Sequence, residues 1–224
     1  PLASVIYWFN KSSVGKWIWI AILALNIYYT GWWIHQAHKG GFFQAGQMNR
    51  TYFLNVVGRI NPDRDLFKLL ETNEYFKGTP QSVNTVFQND FEQGTAYCST
   101  AWPSGGKATC LNGENQFFGP ITLLVTANCA PWIRVEADFL VQSREWDVWK
   151  YAQWIVQFYQ GEKAIKTNLI RIQRHLPVDQ VSTHLFFDVR VPSEPYDRCT
   201  MSIWNAESPQ TLLMDNLKVS CFED

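Results

Sequence analysis

The clearest structural signal in the chain is residues 151–160, YAQWIVQFYQ, in which polar and apolar side chains alternate. A period of two places successive side chains on opposite faces of a β-sheet. Ala152, Trp154, Val156 and Phe158 then share one apolar face, and polar and tyrosine side chains share the other. The pattern predicts a β-strand that is buried on one face only.

The same period continues from about residue 83 to the C-terminus, in short segments separated by turn residues. The predicted strands are residues 85–92, 116–127, 132–142, 151–160, 169–175, 183–191, 199–205 and 210–222. Short strands of this number, without an internal repeat, indicate a mainly β fold, and we expect a jelly-roll β-sandwich over residues 83–224.

Residues 14–34, VGKWIWIAILALNIYYTGWWI, contain a single charged side chain, Lys16. At about 1.5 Å per residue such a helix crosses a hydrocarbon core of roughly 30 Å. Aromatic residues gather at both ends of the segment, where they favour the headgroup level. We therefore predict a transmembrane helix. Residues 1–38 form the membrane anchor, including the end of a preceding span, and residues 39–82 form a connector with short helices.

The charge pattern limits the kinds of partner. The formal net charge is −1 and no long run of like charge occurs, so the electrostatic footprint of a nucleic-acid binder is absent. The expected partners are membrane lipid, a glycan and protein subunits of a membrane complex. The sequence has no nucleophile elbow, phosphate-binding loop or HExxH motif, and we do not expect this chain to be an enzyme by itself.

The five cysteines have no spacing suited to zinc. Cys98 and Cys110 flank the loop AWPSGGKAT, and Cys199 and Cys221 lie near the C-terminus. We predict one disulfide within each pair and a free Cys129. Disulfides require an oxidising compartment, which favours an extracytoplasmic domain.

Two short acidic motifs lie at the ends of the predicted sandwich, NDFE at residues 89–92 and MDNL at residues 214–217. With these motifs the segment from about residue 87 to 222 resembles the jelly-roll carbohydrate-binding modules with a galactose-binding-like fold. In that family, acids at these positions often share a structural Ca²⁺. The resemblance implies that Asp90 or Glu92 with Asp215 holds such an ion; exposed acids at strand ends are the alternative.

The resemblance also implies that a polar sheet face or the loop tips bind glycan. Reading the strands with a period of two, we expect the binding residues to share one face, with flat rings beside planar polar groups. These are Tyr151, Gln153, Gln157, Tyr159, Arg134, Glu136, Asp188 and Arg190. A solvated ion-pair face or a docking surface is the alternative, and Trp146 and Trp149 offer a second aromatic platform.

The anchor and the residues after it also resemble the end of the last span in bacterial GT-C type membrane glycosyltransferases. The matching positions are Leu25, Asn26, Trp33, Met48, Arg50 and Tyr52. Such enzymes carry their catalytic acids in a loop that this chain lacks, so no catalytic residue is transferred. The resemblance implies a bacterial inner membrane protein with its soluble domain on the periplasmic side.

Together these observations predict a membrane-anchored extracytoplasmic β-sandwich of carbohydrate-binding-module type, serving as an accessory glycan-binding or docking domain of a larger membrane protein. One alternative is a structural accessory subunit that binds no sugar. Another is a C-terminal fragment of a transferase that uses lipid-linked sugars.

Overall fold

A computed structural model describes residues 7, 11–40, 42, 48–61, 63–71, 74–93, 102–103, 105–124, 131–143, 146–176 and 178–224. The chain forms two compact units, residues 1–66 and 67–224. The first unit is helical and the second consists mainly of strands.

The first unit is built on helix α1, Ser13–His35, which continues as a π-helical turn, Gln36–Gly40. The Ser12 hydroxyl caps its N-terminus by accepting from the Gly15 N–H at 2.9 Å. The segment Ser13–His38 is long and apolar enough to cross a membrane, and nearly all of its apolar surface is exposed. By length and composition, α1 therefore qualifies as the predicted anchor.

Side chains along one side of α1 and its π-helical turn hydrogen-bond to the chain that follows helix α2, Arg50–Val56. Tyr28, Trp32 and Gln36 recur every four residues and so lie on one side of the helix. The Tyr28 hydroxyl donates to the Gly58 carbonyl at 2.8 Å, and the Gln36 amide donates to the Arg59 and Ile60 carbonyls at 2.9 and 2.8 Å. The end of the helix thereby fixes residues 58–60.

The second unit contains nine strands among its described residues. They are β1 Gln81–Asn89, β2 Thr109–Leu111, β3 Phe117–Leu123, β4 Trp132–Val141, β5 Gln153–Gln160, β6 Lys163–Arg171, β7 Thr183–Arg190, β8 Arg198–Trp204 and β9 Leu212–Glu223. The first sheet has the order β1-β9-β4-β7, with β2 also paired to β9, and the second has the order β3-β8-β5-β6. All of these pairs are antiparallel.

The two sheets enclose one apolar core. Trp154 of β5 makes edge contacts with Phe139 of β4 and Phe187 of β7, at ring-centroid distances of 5.0 and 5.3 Å. The alternating side chains of β4, β5 and β7 are fully buried on their inner faces. The predicted fold class is confirmed: a mainly β sandwich preceded by an apolar helix and short connector helices.

The described residues 67–71 and 74–76 belong to the second unit and contact both of its sheets at one side. A 3₁₀ helix, Arg64–Leu70, leads to Glu71, whose carboxylate pairs with the fully buried Arg174 at 2.7 Å. Glu74 forms an isolated β-bridge with Asp188 of β7 and an ion pair with Lys166 of β6 at 2.8 Å. This segment, here called the strap, covers the edge strands β6 and β7.

Candidate functional site

The residues predicted to form one glycan-binding face lie on different sheets. Gln153, Gln157 and Tyr159 belong to β5 of the second sheet, whereas Arg134 and Glu136 belong to β4 and Asp188 and Arg190 to β7 of the first sheet. The inner faces of both sheets form the core, so the two outer faces point away from each other. The prediction that all these residues form a single site is therefore wrong.

Asp188 of the first sheet is a structural residue. Its carboxylate is 1% exposed and accepts from Nε and a terminal nitrogen of Arg134 at 2.8 and 3.1 Å. It also accepts from the Phe76 N–H of the strap at 3.3 Å. The hydrogen bond to Asp188 raises the pKa of the Arg134 guanidinium, which stacks on the Phe186 ring at 4.4 Å. Both charged groups already have partners within the chain.

The middle of the same outer face is an ionic ladder. Lys218 pairs with Glu136 at 2.7 Å, and His184 lies 3.7 Å from Glu136 and 2.8 Å from Asp138. The Asn216 amide donates to the second oxygen of Asp138 at 2.8 Å. These side chains satisfy one another, which is the arrangement typical of a solvated ion-pair face.

Both ends of this outer face are covered by the chain itself. At one end Phe76 of the strap packs on Trp132 and Phe222, with ring centroids 5.6 and 5.1 Å away. At the other end Trp102 and Ala108 form a small apolar cluster with side chains of the sheet. Arg190 is exposed, 6.0 Å from the Trp132 ring. The first sheet therefore leaves little free surface for a ligand.

The second sheet has an outer face that is polar and aromatic, here called the open face. Residues directly opposite each other in an antiparallel pair share a face, so the registers of β3, β8, β5 and β6 define it. Its members are Phe117, Thr122, Gln153, Ile155, Gln157, Tyr159, Ala164, Thr167, Leu169, Arg171, Arg198, Thr200, Ser202 and Trp204. Three predicted residues, Gln153, Gln157 and Tyr159, thus lie on this face.

A stacked pair of aromatic rings, here called the aromatic shelf, occupies one end of the open face. The rings of Phe117 and Trp204 are nearly parallel, at 7°, with centroids 6.1 Å apart. Phe117 is 60% exposed and Trp204 is half-buried. Gln153 lies opposite Trp204 in the register, which places an amide beside the rings.

A polar cluster occupies the other end. The Tyr159 hydroxyl donates to Gln157 Oε1 at 2.9 Å, and Gln157 Nε2 donates to the Thr167 hydroxyl at 3.2 Å. Arg198 lies opposite Tyr159 and places its guanidinium 4.5 Å from the centre of that ring. Six positions of β5 separate Gln153 from Tyr159, about 20 Å at a rise of ~3.4 Å per residue.

The remaining aromatic predictions have mixed outcomes. Tyr151, expected on the binding face, is buried and packs in the core, so its predicted exposure is wrong. Of the alternative platform, Trp146 is buried and Trp149 is 64% exposed. Trp149 lies in a 3₁₀ turn, Val148–Lys150, just before β5.

The acids implied for calcium lie in one neighbourhood. Asp215 is buried next to a bulge of β9, where Asn216 has a φ of 51° and donates its N–H to Asp215 Oδ1 at 2.7 Å. Burial raises the pKa of Asp215, and the negative charges of Asp138, Glu92 and Asp90 raise it further. Glu92 accepts from the Lys107 N–H at 2.9 Å.

The described carboxylates do not form a complete coordination site for a metal ion. Within the part of the chain that the structure describes, no three acidic, histidine or cysteine side chains are grouped for metal binding. The described residues thus supply charge but too few converging ligands for Ca²⁺, which takes six to eight oxygens. Calcium stays a prediction, and we derive no function through it.

The cysteine pattern departs from the prediction. Cys110 and Cys221 each belong to a disulfide, whereas Cys199 is a free, buried thiol. The predicted Cys199–Cys221 pair is therefore wrong. Both side chains point into the core, but Cys199 lies on β8 of the second sheet and Cys221 on β9 of the first, an assignment that the sequence does not give. Cys98 and Cys129 lie outside the described residues, so the predicted Cys98–Cys110 pair and free Cys129 stay predictions.

Sequence reasoning missed the two ends of the open face. Phe117, Trp204 and Arg198 fall in or beside predicted strands, and Trp204 alternates with the buried Met201 and Ile203, which marks it as outward-facing. That signal gives the direction of the side chain but not its neighbour. The shelf exists because β3 pairs with β8, and the sequence does not specify this pairing.

Comparison with solved structures finds similar folds at low identity. A family 16 carbohydrate-binding module aligns with 53% of this chain and 79% of its own length, at 16% identity and a TM-score of 0.36. The CBM22-1 xylan-binding domain of Paenibacillus barcinonensis Xyn10C aligns with 65% of this chain and 99% of its own length, at 12% identity and a TM-score of 0.36.

A third similar structure is the Glycosylation Associate Protein (Gap123) complex from Streptococcus agalactiae. It aligns with 62% of this chain and 44% of its own length, at 13% identity and a TM-score of 0.32. Likeness at this level carries no information on function. No protein-family model and no curated protein sequence matches the chain.

Proposed function

We propose that this chain is a membrane-anchored glycan-binding domain and that the open face of the second sheet is its binding surface. The observation that carries the proposal is the parallel pair formed by the exposed Phe117 and the half-buried Trp204, with Gln153 beside it. Flat rings stack on the C–H faces of a sugar, and planar amides hydrogen-bond neighbouring hydroxyls. On the first sheet, by contrast, the strap, an apolar cluster and ion pairs occupy the outer face.

The length of the open face suits an extended ligand. From Gln153 to Tyr159 the face extends for about 20 Å at the rise of a β-strand, with Ile155 and Leu169 between its two polar ends. Gln157, Thr167 and Tyr159 form a hydrogen-bonded chain at the far end. We therefore expect a linear oligosaccharide that lies across several strands, with binding and no chemistry.

The test compares matched aromatic truncations on the two outer faces. Trp204→Ala and Phe117→Ala remove the shelf, and Phe186→Ala removes a 45% exposed ring from the first sheet. Full-length protein in detergent micelles is screened on a glycan array, and affinities for the best ligands are measured by calorimetry. We expect shelf variants to lose binding while Phe186→Ala keeps it, all three with native circular dichroism.

Two results contradict the proposal. One is that no glycan binds the folded wild-type chain. The other is that a glycan binds equally well to the wild type and to the double shelf variant. The second result would direct attention to the loop tips, including the exposed Trp149.

The proposal includes membrane anchoring with the sandwich on the extracytoplasmic side. The apolar segment Ser13–His38 supports the anchor, and the disulfides at Cys110 and Cys221 support an oxidising compartment. Alkaline phosphatase and green fluorescent protein fused after Asp224 test the orientation in bacterial cells. Active phosphatase with a dark fluorescent protein is expected, and the reverse pattern contradicts the periplasmic assignment.

We further propose that the domain is an accessory part of a larger membrane protein or complex. Native mass spectrometry of the particle extracted from its own membrane tests this role. A stable complex with membrane subunits is expected, and a single polypeptide without partners contradicts it. Acid-bearing loops on the same polypeptide would instead support the predicted transferase fragment.

A further inference from the structure

The second sheet contains no acidic residue. None of the strands β3, β5, β6 and β8 carries an aspartate or glutamate, although the chain as a whole has 20 such residues against 19 lysines and arginines. The same four strands carry the basic residues Lys163, Lys166, Arg171 and Arg198. This sheet is therefore positively charged within a chain that is slightly negative.

The strap neutralises two of these basic groups. Lys166 pairs with Glu74 at 2.8 Å, and Arg171 lies 3.6 Å from Glu71. No described residue forms an ion pair with Arg198, which is exposed. The nearby carboxylate of Asp197 accepts from the Gly161 N–H, and Glu162 lies in the β5–β6 turn beyond the strand end. Among the described residues, the Arg198 guanidinium therefore has no carboxylate partner, and it can contact solvent or a ligand.

Arg198 is held in place without being neutralised. Its guanidinium rests over the Tyr159 ring at 4.5 Å, a contact that orients the plane of the group and leaves its N–H donors available. A planar guanidinium with free donors matches a carboxylate in a two-point hydrogen bond.

The groups around Arg198 present donors. The Gln157 side-chain oxygen accepts from the Tyr159 hydroxyl, which occupies one of its two lone pairs. The Thr167 hydroxyl oxygen accepts from Gln157 and keeps its own proton to donate. The Gln157 amide retains a second N–H. Together with the guanidinium of Arg198, these N–H and O–H groups can donate to the acceptors of a ligand.

We infer that the open face recognises an acidic glycan, with a uronic acid carboxylate bound by Arg198 and sugar rings on the Phe117–Trp204 shelf. This inference rests on the proposed glycan-binding function and names the class of ligand. It places the charged unit at the Tyr159 end, about 20 Å from the shelf at the rise of a β-strand. The bound segment therefore spans several sugar units.

The experiment uses acidic polymers with chemically matched neutral forms. Polygalacturonate, alginate and hyaluronate are each compared with the same polymer after its carboxylates have been reduced to alcohols. Binding to the full chain in detergent micelles is measured by affinity electrophoresis and calorimetry at low and high salt. The variants are Arg198→Met, which keeps an apolar side chain of similar length over Tyr159, and Arg198→Lys. The control is Lys77→Met, which removes one exposed charge just after the strap.

We expect at least one acidic polymer to bind better than its reduced form, and 0.5 M salt to abolish the difference. Arg198→Met should weaken binding of the acidic form by about tenfold, the scale of one charge-assisted hydrogen bond. It should leave the reduced form unaffected. Arg198→Lys should recover only part of the loss, because a lysine cannot form the two-point contact. Lys77→Met should behave as the wild type.

Other outcomes separate this inference from the proposed function. Equal binding of acidic and reduced forms, lost in Trp204→Ala, overturns the acidic ligand and leaves a neutral glycan site. A preference for the acidic form that persists in Arg198→Met overturns the role of Arg198. Absence of binding to every polymer and to the glycan array overturns both proposals together.

Discussion

Replacing Asp188 by asparagine distinguishes a ligand-binding residue from a structural one. The sequence placed Asp188 among the glycan-binding residues, whereas the structure buries it between Arg134 and the strap. If the carboxylate binds glycan, Asp188→Asn weakens affinity and leaves stability unchanged. If the carboxylate is structural, the variant loses stability and the folded protein binds as before. We expect the second result.

The size of the loss follows from the three hydrogen bonds to this carboxylate. Asparagine keeps one acceptor oxygen and turns an N–H₂ group toward the donors of Arg134 or Phe76. Breaking a buried ion pair costs roughly 3–5 kcal/mol, and because the Arg134 side chain is 24% exposed we expect about 2–4 kcal/mol. For a chain of this size that lowers Tm by about 5–15 °C.

Thermal and urea unfolding of the full chain in detergent measure the loss. Arg134→Met combined with Asp188→Asn is the informative control, because removing the unpaired guanidinium should make the double variant more stable than the sum of the single losses predicts. A Tm within about 2 °C of the wild type for Asp188→Asn would refute the reasoning, since it corresponds to less than about 1 kcal/mol.

Three further predictions concern the core, the acids and the cysteines. Trp154→Phe should change the free energy of unfolding by less than about 1 kcal/mol, because the lost volume is offset by removal of a buried indole N–H that no described residue accepts; Trp154→Ala should cost about 4 kcal/mol in the same urea titration. Asp215→Asn should raise Tm in calcium-free buffer near neutral pH. The pKa of Asp215 is raised in the folded state, so the free energy of unfolding falls as the pH rises through that pKa. Asparagine does not titrate and avoids this loss. The increase in Tm should vanish in acid, where Asp215 is protonated. If excess Ca²⁺ does not change the Tm difference between Asp215→Asn and the wild type, the result argues against the implied calcium ion. Burial raises the pKa of Cys199 to about 12, so the thiol is unreactive in the folded protein. In the absence of reductant, iodoacetamide should label Cys199 when the protein is unfolded and not before. Peptide mapping that finds Cys199 in a disulfide contradicts the assignment.

The sequence indicated the strands that are buried on one face. In β4, β5 and β7 inward apolar residues alternate with outward polar ones, and these strands lie close to the predicted ranges. β6 begins at Lys163, six residues before its predicted start, because KAIKTN is largely polar and none of its side chains is buried, so it shows no regular alternation. β2, Thr109–Leu111, is too short to show a period at all.

The sequence could not assign strands to sheets, and the site depends on that assignment. Alternation tells which way Gln157 or Arg134 points relative to its own strand, and both point away from the core. It does not tell that β5 pairs with β6 and β8 while β4 pairs with β7 and β9. The sequence-based prediction placed residues from both outer faces in one site because it lacked the assignment of strands to sheets. Asp188 shows a second limit, since only the fold reveals that Phe76 and Arg134 surround it.

The strap has a practical consequence for any excised form of the sandwich. A fragment that begins at residue 83 lacks Glu71, Glu74 and Phe76, so it leaves the fully buried Arg174 without its carboxylate and uncovers the rings of Trp132 and Phe222. It also exposes the edges of β6 and β7, which are templates for intermolecular pairing. The smallest soluble piece worth expressing therefore begins at or before Phe67, and a shorter one is expected to precipitate for reasons unrelated to its ligand.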